Sequence, residues 1–387
     1  MENKKNVLVF INSFWNNGKG MSGGDQMFIQ VFKRIRAEFD KIFVYTNIDG
    51  KVVIEDGGLL GVELCLSNKL FDRFNIFINY ICRTLKAISS LKLENIDIVY
   101  STSDFFPDVV PAYLYKMFNK KSKWFQCVFH IYPDWRKRPG NKFRNYVAGY
   151  LQKISLLLIK KADCIVNINT QVKEYLIRHG FEKDKIVINT PGIDVGYFEK
   201  LSSGKVVEKY DAVFLARLNP SKGVNDLIDI WNLVVKKNKI ARLAIVGGGS
   251  DEIKNKLRQR IIEYNLSSNI NILGFLEDKE AFTLIKNSKV FIFPSHEEGF
   301  GIAIAEAMAC NAAVVAWDLP VYKEIFEDNI ILVEENNHGK FAERVVELLD
   351  NENTRTEISK RANVFVCKYD WREISKKHLE IISRFSS

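Results

Sequence analysis

The chain contains no run of 18 uncharged apolar residues, the least that would cross a bilayer as a helix. Its first apolar stretch, from Val7 to Ile11, is too short for the core of a secretion signal and reads as a first strand. The six cysteines (65, 82, 127, 164, 310 and 367) form no C-x-x-C pair, so neither a zinc ribbon nor a redox motif is signalled. In a chain of this length they read as reduced packing residues, and a cytoplasmic protein is expected. Eight prolines and 22 glycines are too few for a collagen-like or linker-dominated architecture. No RNP, zinc-finger or helix-turn-helix pattern occurs, so nucleic acid is not an expected partner.

What is present is core-forming material and an uneven charge. With 27 Phe, 14 Tyr and 6 Trp, a mostly disordered chain is excluded, and 387 residues predict two or three domains. The first 190 residues hold 29 Lys/Arg against 18 Asp/Glu, and the remainder 27 against 29. The amino half therefore carries the basic surface.

Short apolar runs alternate with longer amphipathic stretches. Strands are predicted at 7–11, 42–45, 96–101, 123–129, 164–168 and 186–188, and then at 212–215, 242–246, 270–273, 290–293, 313–316 and 330–333. Runs such as VLVF, LAIVG and VFIFP are apolar at every position, which suits parallel strands covered on both faces by helices. Helical patterns between them, such as 25–38, 224–237 and 341–350, complete two doubly wound α/β series. The turn-rich stretch 190–203 predicts the boundary. The expected arrangement is two Rossmann-like domains facing across a cleft, with ligands at the carboxyl ends of the strands.

Chemistry concentrates in FPSHEEGFGIAIAEAMACN, residues 293–311. A strand ends at Phe293. A polar loop with His296, Glu297 and Glu298 follows. Gly299, Phe300 and Gly301 then lead into a helix opening near Ile302, whose free N–H groups suit an anion. Glu298 and Glu306 stand eight residues apart, and carboxylates can take paired hydrogen bonds from sugar hydroxyls. A second segment, AVFLARLNPSKGVNDLI (212–228), delivers Arg217 from a strand end and Lys222-Gly223 ahead of a helix. Two cations so placed can neutralise a diphosphate. A third, LAIVGGGSDE (243–252), runs a strand into a triple-glycine turn. There Gly248 and Gly249 would admit a nucleotide, with Phe275 as a wall for the base; a tight turn alone would also call for glycine.

These residues resemble the E-x7-E signature of the family-4 retaining glycosyltransferases, which have the GT-B fold. Pro294, Ser295, Glu298, Gly299, Phe300, Gly301, Glu306, Ala307, Met308, Ala309 and Cys310 match the pattern. Asn311 stands where glycine is usual and tolerates the same left-handed backbone. The second segment resembles G-R-L-x-x-x-K-G with Ala216 for the first glycine. The resemblance implies a sugar transferred from a nucleotide-diphosphate donor to a hydroxyl of a glycan or lipid-linked acceptor in cell-surface glycan assembly. It implies Arg217 and Lys222 on the diphosphate, Glu306 on the ribose, and Glu298 with His130 at the donor sugar. Gly23 and Gly24, ahead of the first helix, resemble the family's first loop, and Asp25 is expected to cap that helix. No D-x-D triplet occurs, so no obligatory metal and no cofactor beyond the donor is expected. The domains are expected at 1–192 and 193–369, with a last helix, about 370–387, returning to the first. A sugar-nucleotide epimerase on the same fold and a non-catalytic sugar-nucleotide-binding protein remain alternatives.

Residues 136–161 hold eight Lys/Arg and no acid, with Phe143, Tyr146, Val147, Tyr150, Leu151 and Ile154 at helical spacing. This pattern fits reversible docking on an anionic membrane, on the inner face of the plasma membrane, or equally a core helix with a solvated basic face.

Overall fold

The computed structural model describes residues 4–12, 23–67, 76–132, 134–136, 142–202, 204 and 209–386. The chain divides into two compact units, Met1–Gly192 with Trp371–Ser387, and Ile193–Asp370.

The first unit is built on seven parallel strands: β1 (Lys5–Phe10), β2 (Phe39–Thr46), β3 (Glu63–Leu66), β4 (Ile98–Ser101), β5 (Lys123–Val128), β6 (Cys164–Asn167) and β7 (Ile186–Ile188). Their order across the sheet is β3-β2-β1-β4-β5-β6-β7. Strands β4 and β6 are buried at every position, apolar but for Ser101 and Asn167 at their carboxyl ends, as strands covered on both faces require. The C-terminal helix Trp371–Ser386 belongs to this unit. It lies against the helix Gly23–Ile35 and buries Trp371, Ile374, Ile381 and Ile382, worth roughly 1.5–3 kcal/mol each. On the same face His378 is fully buried, with Asn189 Nδ2 at 2.9 Å from its Nδ1.

The second unit has six parallel strands: β8 (Ala212–Leu215), β9 (Leu243–Val246), β10 (Ile270–Gly274), β11 (Val290–Phe293), β12 (Ala313–Trp317) and β13 (Ile331–Val333). Their order is β10-β9-β8-β11-β12-β13. Helix Val224–Lys237 buries Val224, Leu227, Ile228, Trp231 and Val234 along an apolar stripe at 3.6-residue period, with Ile230 buried beside it. The chain winds outward from β8 to β10, then returns to start again at β11. The point of reversal therefore lies between β8 and β11, which pair directly at Ala212–Val290 and Val213–Phe291. Sheets of this kind take ligands at the carboxyl ends of the strands flanking such a reversal.

Among the described residues no helix is long and apolar enough to cross a membrane.

Candidate active site

The two strands at the reversal carry the two charged segments. β8 ends at Leu215, and Arg217 follows two residues later. β11 ends at Phe293, and the loop from Pro294 to Gly301 leads into the helix Ile302–Ala309.

Two glycines let these segments approach. Gly223 has φ +71°, and a Cβ there would stand 1.8 Å from the Pro294 carbonyl oxygen. Only glycine allows the turn after Lys222 to lie against the Pro294 loop. Gly247, at φ +147°, is held as closely: a Cβ would meet the Ala216 carbonyl oxygen at 1.7 Å, one residue before Arg217. The β9 exit turn is thus pressed against the β8 exit.

The consequence is an ion pair. Lys222 Nζ lies 2.6 Å from Glu298 Oε1, with the side chains 20% and 12% exposed. The same ammonium donates to the Glu297 carbonyl at 3.1 Å, so two of its three N–H donors are used and one remains. Ser295 Oγ donates to Glu298 Oε1 at 3.0 Å and lies within reach of the Ser221 carbonyl at 3.2 Å. Glu298 Oε2 takes no bond from a described residue, leaving a fixed carboxylate with one open acceptor. Arg217 is exposed and has no ion-pair or hydrogen-bond partner among the described residues. A guanidinium left unpaired beside a glycine-shaped turn is available to an anion.

Glu306 projects from the Ile302–Ala309 helix among buried Ala305, Ala307 and Met308. Its side chain keeps a little exposed surface while protein surrounds the rest. Burial, and then the charge of Asp278, push its carboxyl up to about 8. Gly301 caps this helix in the left-handed region at φ +95°, where a Cβ would press on Tyr322 at 3.0 Å. Asn311 takes the left-handed backbone expected of it, at φ 63°.

The other predicted residues are placed as follows. Gly248 has open space where a Cβ would point, whereas Gly249 is packed against Leu218. Phe275 is 71% exposed, free to meet a flat ligand. Gly299 and Ile302 are partly exposed. Phe300 is 3% exposed and its ring packs edge-on against Tyr369, so it is its backbone that can serve a ligand. In the first unit Gly23 opens a helix, and Gly24 is required by the ring of Phe129, whose Cε2 would lie 2.6 Å from a Cβ. Asp25 is not the cap of that helix. It sits inside the first turn, because the helix begins at Gly23. Gly18 and Gly20 lie outside the described residues. His130 follows β5 by two residues. Its carbonyl accepts from Gln152 Nε2 at 2.8 Å, and the same amide donates to Asp104 at 2.6 Å.

A cluster that the sequence did not reveal lies beside Glu298. His296 Nε2 stands 3.0 Å from Asp226 Oδ2 and its Nδ1 stands 2.5 Å from Glu335 Oε1. His338 Nε2 reaches Asp226 Oδ1 at 2.7 Å. The partners are 70, 39 and 112 positions apart in the chain, so no local pattern could have joined them.

Residues 198–365 match the family described as glycosyl transferases group 1. The match lies within the second unit and spans most of it. Among related sequences, an uncharacterised glycosyltransferase, MJ1069 of Methanocaldococcus jannaschii, is 24% identical over 298 residues, covering 74% of this chain and 75% of that protein. The capsular polysaccharide biosynthesis glycosyltransferase CapM of Staphylococcus aureus is 26% identical over 255 residues, covering 61% of this chain and 66% of its own. Among solved structures, Anabaena HepE in complex with UDP and glucose superposes with a TM-score of 0.75 at 17% identity, covering 98% of this chain and 100% of that one. The fold is GT-B.

Proposed function

We propose that the protein is a retaining glycosyltransferase of family 4 that moves a sugar from a nucleotide-diphosphate donor to a hydroxyl of a glycan or lipid-linked acceptor. One observation carries the reading. The unpaired Arg217 and the Lys222–Glu298 pair leave the sheet at the two strands flanking its reversal, where such sheets take nucleotides. HepE was solved with UDP and glucose, and CapM is named for capsular polysaccharide biosynthesis, which support donor and pathway class in the same direction.

In the reaction the bond between the anomeric carbon and the phosphate oxygen breaks with its electron pair leaving on the diphosphate, and the acceptor hydroxyl oxygen ends bonded to that carbon, its proton released. Arg217 and the remaining N–H of Lys222 meet that growing charge, the kind of preorganised stabilisation that dominates such steps. Glu298 orients the donor sugar through its open oxygen and opposes the positive charge developing at the anomeric carbon. Glu306 accepts from the ribose hydroxyls, and Gly248 with Phe275 accommodates the base. His130 belongs to the other unit, and its assignment to the donor sugar rests on the resemblance. The two cations supply what a metal would otherwise provide, so no obligatory metal or cofactor is assigned.

A docking role on an anionic membrane is favoured by a specific observation. The helix Lys142–Ile159 buries Gln152, Ser155, Leu156 and Ile159, not its aromatic face. Phe143, Tyr146 and Tyr150 are 67%, 50% and 56% exposed, beside Lys142, Arg144 and Lys153, with no acid from 136 to 161. A core helix would bury those rings; an interfacial one presents them with its basic residues to lipid.

The test is a panel of UDP-, GDP- and ADP-sugars with the purified protein. Release of nucleoside diphosphate, and a product of retained anomeric configuration by NMR, are expected. Conversion of the donor sugar without an acceptor, or binding without turnover, would overturn the assignment.

A further inference from the structure

We propose that His296, bridged between Asp226 and Glu335, is a positioning residue that fixes the 295–301 loop and through it Glu298. The inference rests on the reading of Glu298 given above.

The geometry begins with hydrogen-bond arithmetic. A neutral imidazole has one donor and one acceptor nitrogen. Here both nitrogens face carboxylate oxygens, at 3.0 Å and 2.5 Å, and both contacts are attractive only when each nitrogen carries a proton. The arrangement therefore holds His296 as a cation. Hydrogen bonding to Asp226 outweighs burial and, with Glu335, raises its pKa to about 9. Asp226 in turn is lowered: burial works against it, but the bonds from His296 and His338 prevail.

The cluster around His296 draws on three separate elements, of which Asp226 and Glu335 bond it directly and His338 bonds Asp226. Asp226 lies in the first turn of the helix Val224–Lys237, Glu335 follows β13, and His338 opens the helix His338–Asp350. The His296 ring also lies 6.5 Å from Trp317 of β12. Its backbone N–H donates to the Ser221 carbonyl at 2.9 Å, next to Lys222. Its neighbours in the chain, Ser295 and Glu297, supply the hydroxyl that bonds Glu298 and the carbonyl that holds Lys222. The loop that aims Glu298 is thereby tied by one side chain to the helix Val224–Lys237 and to the stretch after β13. Loss of the proton would set a bare nitrogen against a carboxylate and release the tie.

The experiment compares the full-length wild type with His296→Gln and Glu335→Gln. Amide hydrogen exchange at pH 7 reads the loop without any substrate. Exchange across 296–301 should be about tenfold faster in His296→Gln, with the strands unchanged. NMR titration of the imidazole should place His296 near 9 in the wild type, and about one pH unit lower in Glu335→Gln, which keeps the bond but removes a charge. In turnover, His296→Gln should lower kcat about tenfold with donor KM nearly constant, since it misplaces a carboxylate that acts in the transition state. The wild-type rate should fall above pH 9, and that limb should move to lower pH in Glu335→Gln. Unchanged loop exchange in His296→Gln, or a His296 that titrates at the ordinary histidine value, would overturn the proposal. A wild type that turns over no nucleotide sugar would instead remove the functional reading, while exchange and titration would still decide the clamp.

Discussion

Glu306 gives a count of protons that can be measured. Its carboxyl is raised to about 8, first by burial and then by Asp278. At pH 7 a group of that pKa is about nine-tenths protonated. Ribose hydroxyls donating to it favour the ionised form, which lowers its pKa in the complex. Nucleotide binding at pH 7 should therefore release about 0.9 proton, falling toward zero above pH 9 where the free carboxyl is already ionised. Isothermal titration calorimetry in two buffers of different ionisation enthalpy reads that number from the difference in heats. In Glu306→Gln the release should vanish and the affinity drop by about 1.5–3 kcal/mol, the cost of a lost charge-assisted hydrogen bond. The unliganded protein supplies an internal check. A raised folded-state pKa means the folded protein binds more protons than the unfolded chain between about 4.5 and about 8. Stability should thus fall as pH rises through that window, by up to about 1.4 kcal/mol per pH unit, and Glu306→Gln should flatten the curve. Nucleotide binding with no proton released at pH 7, together with full affinity in Glu306→Gln, would refute the reasoning.

Three further outcomes are expected. Arg217→Ala should lower turnover roughly 10²-fold by removing one charge stabiliser; because Arg217 has no partner among the described residues, thermal unfolding should hardly move, and near wild-type rates would be evidence against its role. Gly247→Ala forces a Cβ to within 1.7 Å of the Ala216 carbonyl, so urea unfolding should show a loss of more than about 2 kcal/mol, and a neutral result would mean the turn is not held as described. Sedimentation with vesicles containing anionic lipid should show binding that weakens as salt is raised. Neutralising Arg136, Lys137 and Arg138 should weaken it by about 1 kcal/mol per engaged charge; Lys137 and Arg138 lie outside the described residues. Salt-independent binding, or none, would count against the membrane surface.

The sequence was most legible where one physical cause dominated. Every strand of the second sheet could be read within a residue or so, because strands buried on both faces are apolar at each position. β3 (Glu63–Leu66) escaped notice: it is a four-residue edge strand, exposed at both ends, and ELCL carries too little pattern. Residues 142–159 read as helical from their spacing, but which face is buried depends on tertiary neighbours. The packed face includes Gln152 and Ser155, which hydropathy would have sent outward. At Phe300 the motif names the position but not its orientation: the ring closes the core, which depends on its packing against Tyr369. The Asp226–His296–Glu335 cluster was out of reach because its members meet only after three elements have packed.

The most direct test of the central claim is a crystal structure of the protein soaked with a nucleoside diphosphate. The account predicts diphosphate oxygens on Arg217 and the third N–H of Lys222, with the ribose hydroxyls on Glu306. A nucleotide bound elsewhere, with those side chains turned away from it, would contradict the account and leave only the fold.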